Sequence, residues 1–256
     1  MHRRMSALLA IAMLSPTFSW AACEVTSGPK KAALVELYTS EGCSSCPPAD
    51  ERLSQFPSHE YDLKQAVPIS LHVDYWDKLG WKEPFAQPQF GQRQSWLVGT
   101  NGHKTVYTPH FFVSGTEVRN WHGDLGDELK RVNAEPAHAS IHIHARSAGP
   151  GAISVTASAT ATSHPGQLGL FVVLTEDKLT SRVSAGENSG VTLAHDHLVR
   201  EWIGPIALNG GRADFQRNVM MRPAWNAAHL GVAGFVQDLG TGRVLQAVGA
   251  SQCFPS

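Results

Sequence analysis

Charge of either sign is sparse in this chain: 21 Lys and Arg against 22 Asp and Glu leave a formal net charge of −1 over 256 residues. So balanced a surface offers no electrostatic footprint for nucleic acid or for an anionic membrane, and neither is expected as a partner. Past the first segment there is no long apolar run, which excludes a permanent transmembrane helix in the processed chain. Internal repeats and low-complexity stretches are missing as well, which argues against a solenoid and against extended disorder. Cysteine is scarce, with 4 residues, and no second closely spaced pair stands near Cys43 and Cys46 to complete a closed thiolate metal site.

The N-terminus reads Met1-His2-Arg3-Arg4, then an apolar run from Ala7 to Leu14, then Ser19-Trp20-Ala21-Ala22. A basic start, a short apolar run and small residues at the end are the pattern of a secretory signal, expected over residues 1–22. The mature chain is then periplasmic or secreted, with no stable membrane insertion after processing. An oxidising compartment lets disulfides persist. With Cys43 and Cys46 paired, Cys23 and Cys253 are left either as a staple joining the chain ends or as a free terminal thiol and a buried one.

Residues Gly42-Cys43-Ser44-Ser45-Cys46-Pro47-Pro48 follow the apolar run Leu34-Val35-Glu36-Leu37-Tyr38, so a C-x-x-C pair stands where a strand hands over to a helix. Unpaired N–H groups and the positive dipole end of a helix favour thiolate over thiol. Cys43 is therefore the expected attacking sulfur. Cys46, one turn deeper, is placed to attack a mixed disulfide formed at Cys43.

The first half alternates strand-like and helical segments, whereas from about Ala137 the pattern becomes β runs with Gly-rich punctuation. The expected division is a signal peptide over residues 1–22, an α/β domain over 23–136 and an all-β, sandwich-like domain over 137–256. Strands are expected at Ser140 to Ala145, Ile153 to Ala159, Gly169 to Leu174, Leu198 to Ile203, Ala213 to Val219 and Val232 to Asp238. Gly149-Pro150-Gly151, Asn209-Gly210-Gly211 and Gly240-Thr241-Gly242 supply turns between them.

Val106-Tyr107-Thr108-Pro109-His110-Phe111-Phe112-Val113 places a proline at the head of an apolar run, where proline opens a strand without breaking it. A strand, a helix-initial C-x-x-C and a later proline before a strand together resemble the thioredoxin superfamily. That resemblance implies a thioredoxin-like first domain, a cis bond before Pro109 and a partner-contacting edge at Thr108 and Pro109. Val35-Glu36-Leu37-Tyr38-Thr39-Ser40, Gly42-Cys43, His72-Val73-Asp74-Tyr75-Trp76-Asp77, Gly80-Trp81, Tyr107-Thr108-Pro109, Gly186-Glu187-Asn188 and His195-Asp196-His197 together resemble an exported family catalogued as domain of unknown function 1223. The chain departs from thioredoxins in having Gly42 before Cys43 and a long stretch between Cys46 and Pro109. An insertion is expected over Tyr75 to Trp96.

The insertion carries Tyr75, Trp76, Trp81, Phe85, Phe90 and Trp96, read either as a binding wall beside the cysteines or as ordinary packing. Glu36 interrupts a strand that should be buried and is the candidate proton relay to the cysteines, with Asp74 and Asp77 as lesser candidates. His142 with His144, and His195 with His197, are spaced to share one strand face and hence a metal, the rival reading being half-exposed strands. His72, His103, His110 and His122 lie nearer the redox segment.

The leading expectation is an exported thiol–disulfide oxidoreductase acting on protein or peptide thiols and disulfides, with catalytic residues Cys43, Cys46, Pro109, Thr108 and Glu36. No cofactor beyond the redox-active disulfide Cys43–Cys46 is required. Two alternatives stand beside it: a non-catalytic binding protein with a structural disulfide, and a copper or zinc metallochaperone using the cysteine pair with one of the histidines.

Overall fold

A computed structural model describes residues 22–57, 61–162 and 166–254; the expected signal peptide lies outside them except for Ala22. In chain order the elements are β1 (Ala22–Thr26), β2 (Ala33–Thr39), α1 (Pro47–Ser54), β3 (Ala66–His72), α2 (Pro88–Thr100), β4 (His110–Val113), β5 (Thr116–Val118) and α3 (Trp121–Asn133). There follow β6 (Ala139–Ser147), β7 (Ala152–Ala161), β8 (Leu168–Glu176), β9 (Leu179–Arg182), β10 (Thr192–His195), β11 (Leu198–Ala207), β12 (Arg212–Met220), β13 (Leu230–Asp238) and β14 (Val244–Ala250). The architecture is mixed α/β and dominated by sheet.

The main sheet runs β14-β13-β8-β11-β3-β2-β4-β5, and a second runs β1-β6-β7-β12. β2 shows why the main sheet lies in the interior. All of its residues are buried, and its alternate side chains serve two cores. Val35 and Leu37 meet α1 and α3 through Ala49, Leu53, Leu125 and Leu129, whereas Leu34 and Tyr38 meet Phe90 and Leu97 of α2. A strand covered on both faces reads as a continuous apolar run, and only Glu36 interrupts this one. β3 runs parallel to β2 and contains Pro68. The Ser70 N–H donates to the His197 carbonyl, so Pro68, of the same parity, directs its missing donor toward β11. Pairing with β11 there is confined to Leu198 opposite Ser70, and no ladder bond is lost.

The expected boundary at Glu135-Pro136 does fall between α3 and β6, but no separate all-β domain begins there. β8, β11, β13 and β14 extend the sheet of the first half. β8 carries apolar side chains on both faces: Leu170, Val172 and Leu174 pack against Ile141, Ile143 and Val155 of the second sheet, while Phe171 and Val173 join the core under α2. A sandwich is therefore present, but one of its two layers is the α/β sheet itself. That sheet also curls. Gln246 of β14, at one edge, accepts from the Ala32 N–H at 2.8 Å just before β2.

All the strands expected in the second half are present, and β1, β3, β5, β9, β10 and β14 add to those expected from the sequence. The Cys23–Cys253 bridge is formed, with Cα atoms 4.8 Å apart. It ties β1, in the smaller sheet, to the segment after β14, in the larger.

Candidate functional site

At the end of β2 the chain turns through residues 40–46. The Cys43 N–H donates to the Ser40 carbonyl and the Cys46 N–H to the Cys43 carbonyl, both at 3.2 Å. Cys46 is the N-cap of α1 and Pro47 follows at the first helical position, where its missing N–H would in any case find no partner within the helix. The Cys46 carbonyl accepts from the Ala49 and Asp50 N–H groups. Cys43 and Cys46 are disulfide-bonded, with Cα atoms 5.4 Å apart.

The Thr108–Pro109 bond is cis. Because Tyr38 of β2 pairs with His110 of β4, Thr108 and Pro109 stand at the same end of the sheet as the cysteine turn. Trp76 links the two segments: its indole N–H donates to Thr108 Oγ1 at 2.8 Å, and a Cβ at position 42 would lie 3.1 Å from the Trp76 Cβ. Glycine before Cys43, the departure noted in the sequence, therefore makes room for Trp76.

Glu36 does not belong to this group, and its expected relay role is corrected. Its side chain projects from the face of β2 opposite α1 and accepts from Arg93 Nε and Nη2 of α2 at 2.7 and 2.9 Å. Tyr38 Oη donates to it at 2.9 Å. Parity decides the matter: Val35 and Leu37 face the cysteine-bearing helix, so residue 36 cannot.

The buried acids near the pair are instead Asp50, Glu41 and Glu83, none of which sequence reasoning selected. Asp50 lies one turn beyond Cys46 on α1, a spacing that marks it as a neighbour. Its carboxyl accepts from Thr39 Oγ1 at 3.1 Å. Burial pushes Asp50 up to about 7, against the opposing pull of His195 and Thr39. Glu41 accepts from Trp81 Nε1 at 2.7 Å and pairs with His195 Nε2 at 3.0 Å. Burial raises Glu41, but the hydrogen bonds from His195 and Trp81 outweigh it and leave the carboxyl below its ordinary range. Glu83 accepts from Ser40 Oγ and the Glu41 N–H, both at 2.9 Å, and binds His72 Nδ1.

A loop closes the site from the second half of the chain. Between β9 and β10, Glu187 accepts from the Ser44 N–H at 2.9 Å and from Ser44 Oγ at 2.7 Å. Asn188 Nδ2 donates to the carbonyls of Glu41 and Cys43, both at 2.9 Å. In this closed arrangement Cys43 is 1% exposed and Cys46 0%.

The aromatic segment packs around the turn and does not form an open wall. Phe90 and its neighbours are core, Trp76 and Trp81 are engaged as described, and Phe85 meets the His72 and His195 rings edge-on. His142 and His144 stand on the outer face of β6, with His142 paired to Glu24 of β1. His195 and His197 take different partners, since His197 bonds the Phe56 carbonyl and Asp177. His103 and His110 pair with Glu117 and His122 stacks on Trp121.

His110, next to the cis-proline, is satisfied as a neutral ring. Its Nδ1 accepts from the Gln94 amide at 3.2 Å and its Nε2–H donates to Glu117 at 2.9 Å. Burial lowers it from 6.5 to about 4, outweighing the pull of Glu117. The unfolded chain thus protonates His110 first, and the stability it contributes, full above its unfolded value, is lost as pH falls toward the folded one. Between pH 7.5 and pH 5 the stability gap between wild type and His110→Gln should shrink by about 2 kcal/mol, as read from urea midpoints. An unchanged gap would mean that His110 takes up its proton as readily in the folded chain as in the unfolded one.

The family described as "Protein of unknown function (DUF1223)" matches residues 34–237. None of the curated proteins matches the chain. A structural-genomics crystal structure of an Agrobacterium tumefaciens protein is similar at TM-score 0.59 and 22% identity, covering 87% of this chain and 95% of that one. The structure "HBP35 of Porphyromonas gingivalis" is similar at TM-score 0.67 and 18% identity, covering 90% of this chain and 78% of that one. At these identities the likeness is one of fold. Among the described residues no helix is long and apolar enough to cross a membrane, and the two disulfides fit an oxidising, non-cytoplasmic location.

Proposed function

We propose that this chain, which belongs to the DUF1223 family of proteins of unknown function, is an exported thiol–disulfide exchange protein with a thioredoxin-like α/β half. The supporting observation is the bonded Cys43–Cys46 pair at the start of α1 with the cis Thr108–Pro109 bond at the same sheet end. The combination resembles the thioredoxin superfamily. Export is supported by the signal pattern of residues 1–22 and by the disulfides.

Exchange needs only the two sulfurs and a partner. With the pair oxidised, a partner thiolate attacks Cys43 Sγ, the Cys43–Cys46 bond breaks, and Cys46 leaves as thiolate. A second partner thiolate then attacks the partner's sulfur in the mixed disulfide and releases Cys43, so two electrons pass to the pair and the partner leaves as a disulfide. The reverse sequence reduces a partner disulfide, with Cys43 attacking and Cys46 resolving. Protein or peptide thiols fit an edge shaped by Thr108 and Pro109.

A specific observation favours a second reading: both sulfurs are enclosed, as in a structural disulfide of a binding protein. Equilibration of the metal-free mature protein in glutathione buffers, with alkylation and mass spectrometry, separates the two. A midpoint between about −270 and −120 mV, with Cys43 alkylated first, supports exchange; a pair oxidised down to about −300 mV overturns it.

The enclosure predicts a gate. The two buried hydrogen bonds donated by Asn188 to the turn contribute on the order of 1 kcal/mol each, and the exposed Glu187 contacts are screened by water. The Glu187→Ala, Asn188→Ala double variant should therefore raise the rate of disulfide reduction by dithiothreitol roughly 30-fold, the equivalent of about 2 kcal/mol. An unchanged rate would show that the loop does not limit access.

A further inference from the structure

Beneath the cysteine turn, Asp50, His72 and His195 come together from α1, the end of β3 and the end of β10, and one potential ligand atom from each lies within 4.8 Å of the other two. All three residues are buried, at 8%, 1% and 2% exposure. Each keeps one buried polar atom with no hydrogen-bond partner among the described residues: Asp50 Oδ1, His72 Nε2 and His195 Nδ1. A buried polar atom left unpaired costs about 1–3 kcal/mol. Here three such atoms belong to the three residues of one buried cluster.

The remaining atoms of the three groups are held in place. His72 Nδ1 is bonded to Glu83 and His195 Nε2 to Glu41, while Asp50 Oδ2 accepts from Thr39. A carboxylate on the far nitrogen of each imidazole fixes the tautomer and directs the other nitrogen's lone pair outward, as second-shell groups do at metal sites. The charge balance agrees. Asp50, Glu41 and Glu83 place three carboxyl groups around two imidazoles, an environment that a dication offsets. Asp50 also lines an open cleft of about 310 Å³ between α1 and β10.

We propose that Asp50 Oδ1, His72 Nε2 and His195 Nδ1 bind a divalent transition-metal ion, zinc being the type that fits, with Glu41 and Glu83 as positioning residues. Two nitrogens and one oxygen leave a fourth position of a tetrahedral ion for water or another ligand. No sulfur is required, so the site is independent of the exchange reading and of the cysteine-based chaperone considered from the sequence.

The test uses the mature chain without a histidine tag, with both disulfides oxidised, stripped of metal and titrated with Zn²⁺ alone by calorimetry. One ion per chain should bind, with His195→Ala weakening the Kd at least 100-fold and Glu83→Gln about 10-fold. The surface pair variant His142→Ala, His144→Ala should bind as wild type. Co²⁺ bound to the wild-type chain gives a second reading that does not depend on the folding of variants at a buried site. Visible bands of a four-coordinate nitrogen and oxygen site are expected, without sulfur charge transfer, and unchanged when the cysteine pair is reduced. Failure of the wild type to bind saturably, loss of binding in the His142, His144 variant, or thiolate bands from Co²⁺ would each overturn the proposal. The first of these would indicate that protons fill the cluster.

Discussion

Cys43→Ser is expected to abolish exchange outright, while Cys46→Ser is expected to halt it midway. The asymmetry follows from position. Cys43 precedes the helix and in the proposed exchange is the sulfur that a partner meets, whereas Cys46 is the helix N-cap, with its carbonyl already bonded to the N–H groups of Ala49 and Asp50. Without Cys43 no partner bond forms. Without Cys46 the Cys43 thiolate still attacks a partner disulfide, but nothing within the chain resolves the product, and a covalent adduct accumulates. Non-reducing electrophoresis of the Cys46→Ser protein after passage through an oxidising compartment, followed by mass spectrometry of the adduct, would reveal the partner. Full exchange by both variants would eliminate the mechanism.

Glu36→Gln should cost about 3 kcal/mol or more of stability. The Glu36 side chain is 0% exposed and that of Arg93 8%. The guanidinium also lies over Trp202, 4.8 Å from the ring centroid, with Phe171 and Phe235 at 5.3 and 5.2 Å. Removing the carboxylate charge leaves a cation enclosed by aromatic rings with only neutral side-chain acceptors, the amide of Gln237 among them. Such a loss far exceeds what an exposed pair contributes. The comparison is made by urea unfolding, together with the exchange rate per folded molecule. A stability loss under about 1 kcal/mol would show that the pair is not closed off from water. An exchange rate that fell while folding stayed intact would restore Glu36 to the chemistry.

What could be read from the sequence depended on how local its cause is. The C-x-x-C followed by proline marks a helix start through the chemistry of the first turn, and Pro109 marks a strand opening. The strands of the second half declare themselves by alternation or, in β8 and β13, by short apolar runs, set off by glycine turns. Side-chain parity along β2 was also present in the sequence, yet deciding which face meets α1 needs the crossover that carries the helix over the sheet, so Glu36 was misassigned. The meeting of Asp50, His72 and His195 depends on a hairpin arriving from the far half of the chain, and no spacing rule relates these positions. The joining of β11 to β3 is another long-range event. It rests on Leu198 opposite Ser70, and it turns an expected second domain into an extension of the first.

The Cys23–Cys253 bridge changes how the molecule carries a mechanical load. The two sulfurs span 230 residues of chain. Tension applied between the extreme ends passes through the covalent link and bypasses the strands between them. A stretch that would peel β1 from β6 in an open chain therefore leaves both sheets unloaded, and pulling records should show no extension step for the enclosed chain until a reductant is added.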